Sequence, residues 1–348
     1  MEYKIGSFNL HNIGQTALGM NNQRDLKTIA RIIREEHFDI VALQEILSEG
    51  KAFIGEDYAK KSILMELGPG WDFCWADAEA ENDRRHEGFA FVWNNKRLRK
   101  CTTEVRRGSG ANNSTFQRTF EPRICRVNHK YMERKPFYGR FTANGMPGGT
   151  NVEFRLLCVH SFYGQKDDKA DREKRLRELN ILLQDIYPQI NDRRYGDTYD
   201  DSYTIVLGDY NAEVWTSKSK KWQEELKKQR GGKRPAVLPT DDDGVIESSR
   251  YPGRKVKTVQ YELTTLKSKI GDNGEEEYDT AGYSFNYDHF SFEEDKFKGV
   301  KPKAKALREA VYKYSKVNNE PYESDFEKYF KTISDHIPVV LTIDLKQR

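Results

Sequence analysis

The chain has 348 residues, with 58 Lys and Arg set against 55 Asp and Glu, for a formal net charge of +3. That length holds one large α/β domain or two small ones, and an apolar content of 36% supplies a sizeable core. Near-balanced charge excludes a global field that would attract polyanions, so any basic surface has to be local.

In chain order, residues 3–8 (YKIGSF) read as a strand. Leu26, Ile29, Ala30, Ile32 and Ile33 follow at helical spacing, with Asn21 or Asn22 as the expected cap. Residues 38–43 (FDIVAL) are a short apolar run suited to a buried strand, and 58–67 (YAKKSILMEL) read as a helix stopped by Gly68-Pro69. Residues 88–93 and 153–159 are predicted strands separated by polar loops and short strands. An amphipathic helix is predicted over 171–186, with Leu176, Leu179, Leu183 and Ile186 on one face and Pro188 beyond. Residues 203–207, 287–292 and 337–343 complete the strands. The stretch 214–280 is polar and charged and reads as an elaborated insertion between two core strands. With no linker-like segment and no repeat, residues 1–348 are expected to form a single domain with helices outside a β core.

No stretch approaches the ~20 apolar residues of a membrane span. The segment MEYKIGSFNL lacks a basic n-region followed by an apolar run, so it does not read as a signal peptide. Cys74, Cys101, Cys125 and Cys158 form neither a C-x-x-C pair nor a zinc spacing. They are expected to be reduced thiols of a cytoplasmic, monomeric protein.

The informative residues stand where strands end. Asn9 follows the first strand, Glu45 the second, His160 the strand LLCV, and Asp209 and Asn211 the strand YTIVLG. Asp288 opens YDHFSF, and Asp335 and His336 precede the last strand. A buried strand ending in a carboxylate, amide or imidazole delivers that group to the sheet rim, where sites are built. Taken singly, each reads as ordinary: Asn9 as a turn former, Glu45 as solvated surface, His160 as a satisfied histidine, and GDYN as a turn.

Their order carries more than any one of them. S-F-N at 7–9, L-Q-E at 43–45, a strand ending in His160, G-D-Y-N at 208–211, Y-D-H-F at 287–290 and S-D-H-I-P at 334–338 form a set. The set resembles the DNase I-like (endonuclease/exonuclease/phosphatase) superfamily from Phe8 to Val339. The resemblance implies a four-layer α/β/β/α sandwich of two packed mixed β-sheets flanked by helices. It implies a Mg²⁺- or Mn²⁺-dependent phosphodiesterase with Glu45 as the principal ligand and Asn9 and Asp335 beside it; hard oxygen donors suit such ions. It also implies Glu87 as partner of the acid His160 and Asp288 as partner of His336. His336 is then general base or phosphate contact, with Asp209 as the alternative base and Asn211 beside the scissile phosphate. Arg134, in R-K-P, matches an arginine that contacts phosphate in relatives, and Arg85 stands where relatives carry a phosphate-binding tyrosine.

Substrate is read from charge and from departures. Residues 96–140 hold 13 Lys and Arg against the acids Glu104, Glu121 and Glu133, a local enrichment that a polyanion-binding face requires. A solvated loop region explains it equally simply. A second basic run lies at 218–234. His160 distinguishes the chain from abasic-site endonucleases, and GDYNAEVW and YDHFSF lack the arginine motifs of inositol polyphosphate 5-phosphatases. Sphingomyelinases share both histidines but are secreted proteins with an aromatic membrane hairpin. The leading expectation is a DNA endonuclease with little sequence preference. The alternatives are an RNA, nucleotide or small-molecule phosphoesterase and a catalytically inactive nucleic-acid-binding module.

Overall fold

A computed structural model describes residues 1–14, 24–47, 50–56, 62–77, 87–107, 114–125, 131–144, 152–164, 168–195, 201–217, 219, 235–266, 282–297, 300–317, 322 and 324–345. Its centre is a pair of mixed sheets. The first contains β1 (Glu2–Ile13), β2 (Ile40–Ile46), β3 (Trp71–Asp77), β4 (Gly88–Asn94), β17 (Lys303–Ala306) and β18 (Val339–Asp344), in the order β17-β18-β1-β2-β4-β3. The second contains β5 (Leu98–Lys100), β9 (Phe137–Ala143), β10 (Val152–His160), β11 (Asp201–Asp209), β14 (Val245–Glu247), β15 (Lys255–Val259) and β16 (Asp288–Glu293). Its order is β14-β15-β16-β11-β10-β9-β5, with β8 (Arg123–Ile124) also on β9. Two short pairs stand apart: β6 (Thr102–Arg107) with β7 (Ser114–Thr119), and β12 (Glu213–Val214) with β13 (Val237–Leu238).

Side-chain alternation shows how the layers stack. On β10, Phe154, Leu156 and Cys158 join the large core that also takes in Phe8, Leu43 and Phe91 of the first sheet, whereas Leu157 and Val159 face a second core. On β11, Tyr203, Ile205 and Leu207 take the first side and Val206 the other. Strands buried on both faces read as unbroken apolar runs, which is why YTIVL and LLCV are legible. The second core is roofed by α3 (Lys169–Ile181), a π-helical turn over Leu182–Ile186, and α4 (Tyr187–Asn191), which bring Leu179, Leu183 and Ile186. Outside the first sheet lie α1 (Leu26–Glu35) and α2 (Ile63–Leu67), with Ile29, Ile32, Ile33 and Ile63 buried. Helices α5 (Glu309–Tyr314) and α6 (Asp325–Thr332) add Ala310, Val311, Phe326 and Tyr329 to the same core. This is the expected α/β/β/α sandwich of two packed mixed sheets.

Each sheet has one parallel pair at its centre, β1 with β2 and β10 with β11. Parallel neighbours end at the same rim. In register, Asn9 stands beside Gln44, His160 beside Asp209, and Asp209 beside Asp288 at the start of β16. Five chain segments therefore deliver polar residues to one edge.

Some local expectations need correction. Helix α1 is capped by Asp25, whose carboxylate accepts from the Thr28 N–H at 3.0 Å, and Asn21 and Asn22 lie outside the described residues. Of the helix expected over 58–67, Ile63–Leu67 is helical behind the cap Ser62 and ends at Gly68 with φ +83°, while 57–61 lie outside the described residues. The stretch 214–280 supplies β14 and β15, which extend the second sheet beyond β16. Among the described residues no helix is long and apolar enough to cross a membrane. None of the four cysteines forms a disulfide; Cys101, Cys125 and Cys158 are buried, and burial pushes the Cys125 and Cys158 thiols up to about 12.

Candidate active site

The rim is shaped by a bulge. Pairing of β1 with β2 shifts between Asn9 and Ile13, and that of β2 with β4 between Leu43 and Ile46. Glu45 takes a left-handed backbone there (φ 57°), as do His11 (φ 48°) and Asn12 (φ 58°). Bulges re-aim side chains. Gln44 stays buried and reaches Ser7 and the Cys158 thiol, whereas the Glu45 carboxylate turns to the rim and accepts from Asn9 Nδ2 at 2.8 Å. The same Asn9 nitrogen donates to Asp209 Oδ2 at 3.1 Å, joining the two sheets.

Asp209 is the hub. Its Oδ1 accepts from the Asn211 N–H at 2.7 Å, while Oδ2 lies 3.7 Å from His160 Nε2 and 3.6 Å from His336 Nε2. Asn211 (φ 48°) also donates Nδ2 to the Ser161 carbonyl at 2.8 Å, which ties the ends of β11 and β10 together. Burial pushes the Asp209 carboxyl above its ordinary pKa, against the pull of His336 and His160.

The two histidines have different backing. His336 Nδ1 lies 2.8 Å from Asp288 Oδ2. Burial disfavours its imidazolium, but Asp288, Asp209 and Asp335 outweigh burial and hold the pKa well above the usual histidine value. His160 Nδ1 faces both a carboxylate and a guanidinium, Glu87 Oε2 at 3.0 Å and Arg134 Nη1 at 2.8 Å, and those two are 3.0 Å apart. One ring nitrogen can donate to Glu87 or accept from Arg134, but not both. Burial and the Arg134 charge oppose the His160 imidazolium; the hydrogen bond and charge of Glu87, together with Asp209, prevail, so this pKa is also raised.

Asp335 completes the cluster. Its Oδ2 meets His11 Nδ1 at 2.5 Å, and its Oδ1 lies 4.0 Å from His336 Nε2. Burial raises the Asp335 pKa, yet His11, His336 and Arg24 outweigh it and hold the carboxyl at about 2. Among the described residues Asp335 Oδ1 is buried with no hydrogen-bond partner, as is Asp288 Oδ1.

A hard divalent cation fits this donor set. Ligand atoms of Glu45, His160 and Asp209 lie within 4.8 Å of one another, and Asn9 and the unpartnered oxygen of Asp335 belong to the same cluster. Carboxylate oxygens dominate and no thiol takes part, a donor set suited to a hard cation; Asn9 turns Nδ2 to the carboxylates, while its Oδ1 accepts from the His11 N–H at 2.9 Å.

The structure thus brings together Asn9, Glu45, Glu87, Arg134, His160, Asp209, Asn211, Asp288, Asp335 and His336. Arg85 lies outside the described residues. His11 and Arg24 are not singled out by sequence patterns; the one signal for His11 is its place two residues past Asn9 in the strand-end segment. The basic window 96–140 holds less spare charge than its composition suggests. Arg97 pairs with Asp39 at 2.7 Å, Lys100 with Glu121 at 2.6 Å, Arg134 with Glu87, and Arg140, 1% exposed, with Glu153 at 2.5 Å. In the run 218–234 only the buried Ser219 is described.

Two mixed sheets flanked by helices, with the ordered motifs gathered at one rim, are the DNase I-like arrangement that the sequence resembles. Similar solved structures include an endonuclease/exonuclease/phosphatase family protein of Bacteroides thetaiotaomicron, 16% identical over 99% of both chains with a TM-score of 0.48. A mannosyl-6-phosphatase of the same organism is 15% identical over 99% of this chain and 100% of that one, with a TM-score of 0.49. ANGEL2, a 2',3'-cyclic phosphatase in complex with adenosine-2',3'-vanadate, is 14% identical over 99% and 95%, with a TM-score of 0.46. At these values the likeness bears on neither activity nor substrate. No protein-family model and no curated protein sequence matches the chain.

Proposed function

We propose that the chain is a divalent-metal-dependent phosphoesterase, and within that class a DNA endonuclease with little sequence preference. The observation that carries the proposal is Asp209 Oδ2, set between the Nε2 atoms of two histidines that are each backed by a carboxylate, with Glu45 and Asn9 alongside. Phosphoester hydrolysis needs an oriented water, a counter-charge for the phosphoryl oxygens and a proton for the leaving oxygen. These residues would meet all three needs within one cluster.

Glu45, Asn9 and Asp335 would hold Mg²⁺ or Mn²⁺, with Asp209 and His160 at its edge. When bound, the ion polarises the phosphoryl group and neutralises developing charge. His336, kept protonated by Asp288, faces the phosphate oxygens as a cationic donor. Asp209, with one oxygen pinned by the Asn211 N–H, aligns the attacking water and takes its proton. His160 gives a proton from Nε2 to the leaving oxygen and becomes neutral, its Nδ1–H staying on the ring and donating to Glu87. Arg134 stays on Glu87 and His160, so it acts on the acid histidine and reaches phosphate only by leaving that pair.

The choice of DNA rests on the basic window and on the histidine at 160, and the ion pairs within that window weaken it. An RNA, nucleotide or small-molecule phosphoester is the alternative. The test is incubation of the protein with supercoiled plasmid and Mg²⁺, beside Glu45→Ala and His336→Ala. Nicking by the native chain alone, falling steeply as NaCl rises, is the expected outcome. Nicking that survives both substitutions would exclude this site, and turnover of RNA or small phosphoesters without DNA cleavage would move the reading to the alternative.

A further inference from the structure

Helix α3 buries two charged side chains one turn apart: Arg175 is 0% exposed and Glu178 is 2% exposed. Arg175 donates Nε to the Phe162 carbonyl at 2.9 Å, Nη1 to the Asn211 carbonyl at 2.6 Å, and Nη2 to the Tyr163 carbonyl. Glu178 accepts at Oε1 from the N–H groups of Glu133 (2.8 Å) and Arg134 (3.1 Å), and at Oε2 from that of Phe162 (2.8 Å). All six bonds go to backbone, and none goes to a regular strand or helix.

The segments so held carry the proposed machinery. Phe162 and Tyr163 follow His160 where β10 ends, Asn211 follows Asp209 where β11 ends, and Arg134 is the residue whose guanidinium lies on His160 Nδ1 and Glu87. Both polar groups of Phe162 are held, its N–H by Glu178 and its carbonyl by Arg175. The Asn211 side chain closes the circuit on the Ser161 carbonyl. A buried charge costs several kcal/mol unless it is well paired, and packing α3 needs only apolar residues such as Leu179 beside them. Two buried charges that bond the backbone of three rim segments therefore serve the rim.

We infer that Arg175 and Glu178 are positioning residues that lock the His160, Asn211 and Arg134 segments against one another in the reactive arrangement. Both reach those segments through backbone groups. The activity part of this inference rests on the phosphoesterase reading; the locking part does not.

Glu178→Gln is the sharpest probe, because the amide NH₂ would face one of the three N–H donors that the carboxylate accepts. Arg175→Met removes the other arm, and Arg175→Lys restores charge with fewer bonds. Leu179→Ala, in the second core on the same helix, controls for plain loss of packing. Expected are a 10- to 100-fold fall in kcat for Glu178→Gln and Arg175→Met, with KM within about threefold of native, an order typical of small misplacements. Arg175→Lys should recover part of the loss. Leu179→Ala should melt lower, as cavity-forming substitutions do, yet keep kcat per folded molecule. Amide hydrogen exchange in Glu178→Gln should quicken at residues 133–134 and 162 and stay native in β10 and β11.

If kcat per folded molecule stays within threefold of native in both Glu178→Gln and Arg175→Met, or falls no further than in Leu179→Ala, the inference is overturned. If the native chain hydrolyses no phosphoester, the functional reading fails instead, and the exchange experiment alone decides the lock. Unchanged exchange at 133–134 and 162 would then remove it.

Discussion

The two histidines of the rim look alike in sequence and differ in the structure. At Nδ1 His336 meets the carboxylate of Asp288, whereas at Nδ1 His160 shares Glu87 with the guanidinium of Arg134. Asp288 comes from β16, whose register against β11 fixes it beside Asp209. Glu87 and Arg134 come from segments at the margins of β4 and β9 and need Glu178 to hold one of them. The first pairing is built into the strand register and keeps its ring charged. The second is a three-body balance set by loop placement, suited to a group that must give up a proton and recover it.

The largest expected effect erases the comparison at its shared point. Asp209→Asn removes the carboxylate that both Nε2 atoms face, and hydrolysis should fall about 10³-fold or more, read as kcat/KM in single-turnover assays. Asp288→Asn breaks only the His336 side. The ring keeps a neighbour of the same shape but loses the charge that favours imidazolium, so a loss of about 10²- to 10⁴-fold is expected, with the active pH range moved downward.

The same pair carries a pH signature in metal-free protein. The folded pKa of His336 is raised well above its unfolded value, near 6.5. Its contribution to stability is therefore fully present below about pH 6.5 and is lost as pH rises through the folded pKa. Urea melts in EDTA should show that decline, and Asp288→Asn should flatten it. A native profile indistinguishable from that of the variant would remove Asp288 as the cause.

The His160 side should respond more mildly. Arg134→Met lifts the cation that opposes its imidazolium, so the histidine pKa, read by NMR in metal-free protein, should rise. The expected fall in kcat is about tenfold, because Glu87 remains to hold Nδ1. The smallest effect belongs to the basic window. Lys100→Ala breaks an exposed pair with Glu121 and should change stability by less than about 1 kcal/mol.

Much of this contrast is legible in the sequence, and the rest is hidden for a physical reason. Asn9, Glu45, His160, Asp209 and His336 stand out because each adjoins an apolar strand, and a strand carries its end residue to a rim whatever its partners. The central strands stand out because burial on both faces makes them uniformly apolar. Strands near a sheet margin, such as Lys255–Val259 between β14 and β16, interleave charged and polar residues with apolar ones and resemble loops. Arg175 and Glu178 are hidden because charges on a helix read as its solvent face; only the chain path around them makes that face internal. His11 is concealed by the bulge that turns it toward Asp335, which no local pattern announces.

A kinetic cycle probes the claim that both histidines act on one phosphate more directly than any single substitution. His160→Ala, His336→Ala and the double variant would be compared by kcat/KM on one phosphodiester substrate. Residues acting as a unit lose far less together than the product of their separate losses, and the double variant is expected to sit within about tenfold of the worse single variant. Losses that multiply independently would mean that the two imidazoles serve separate events.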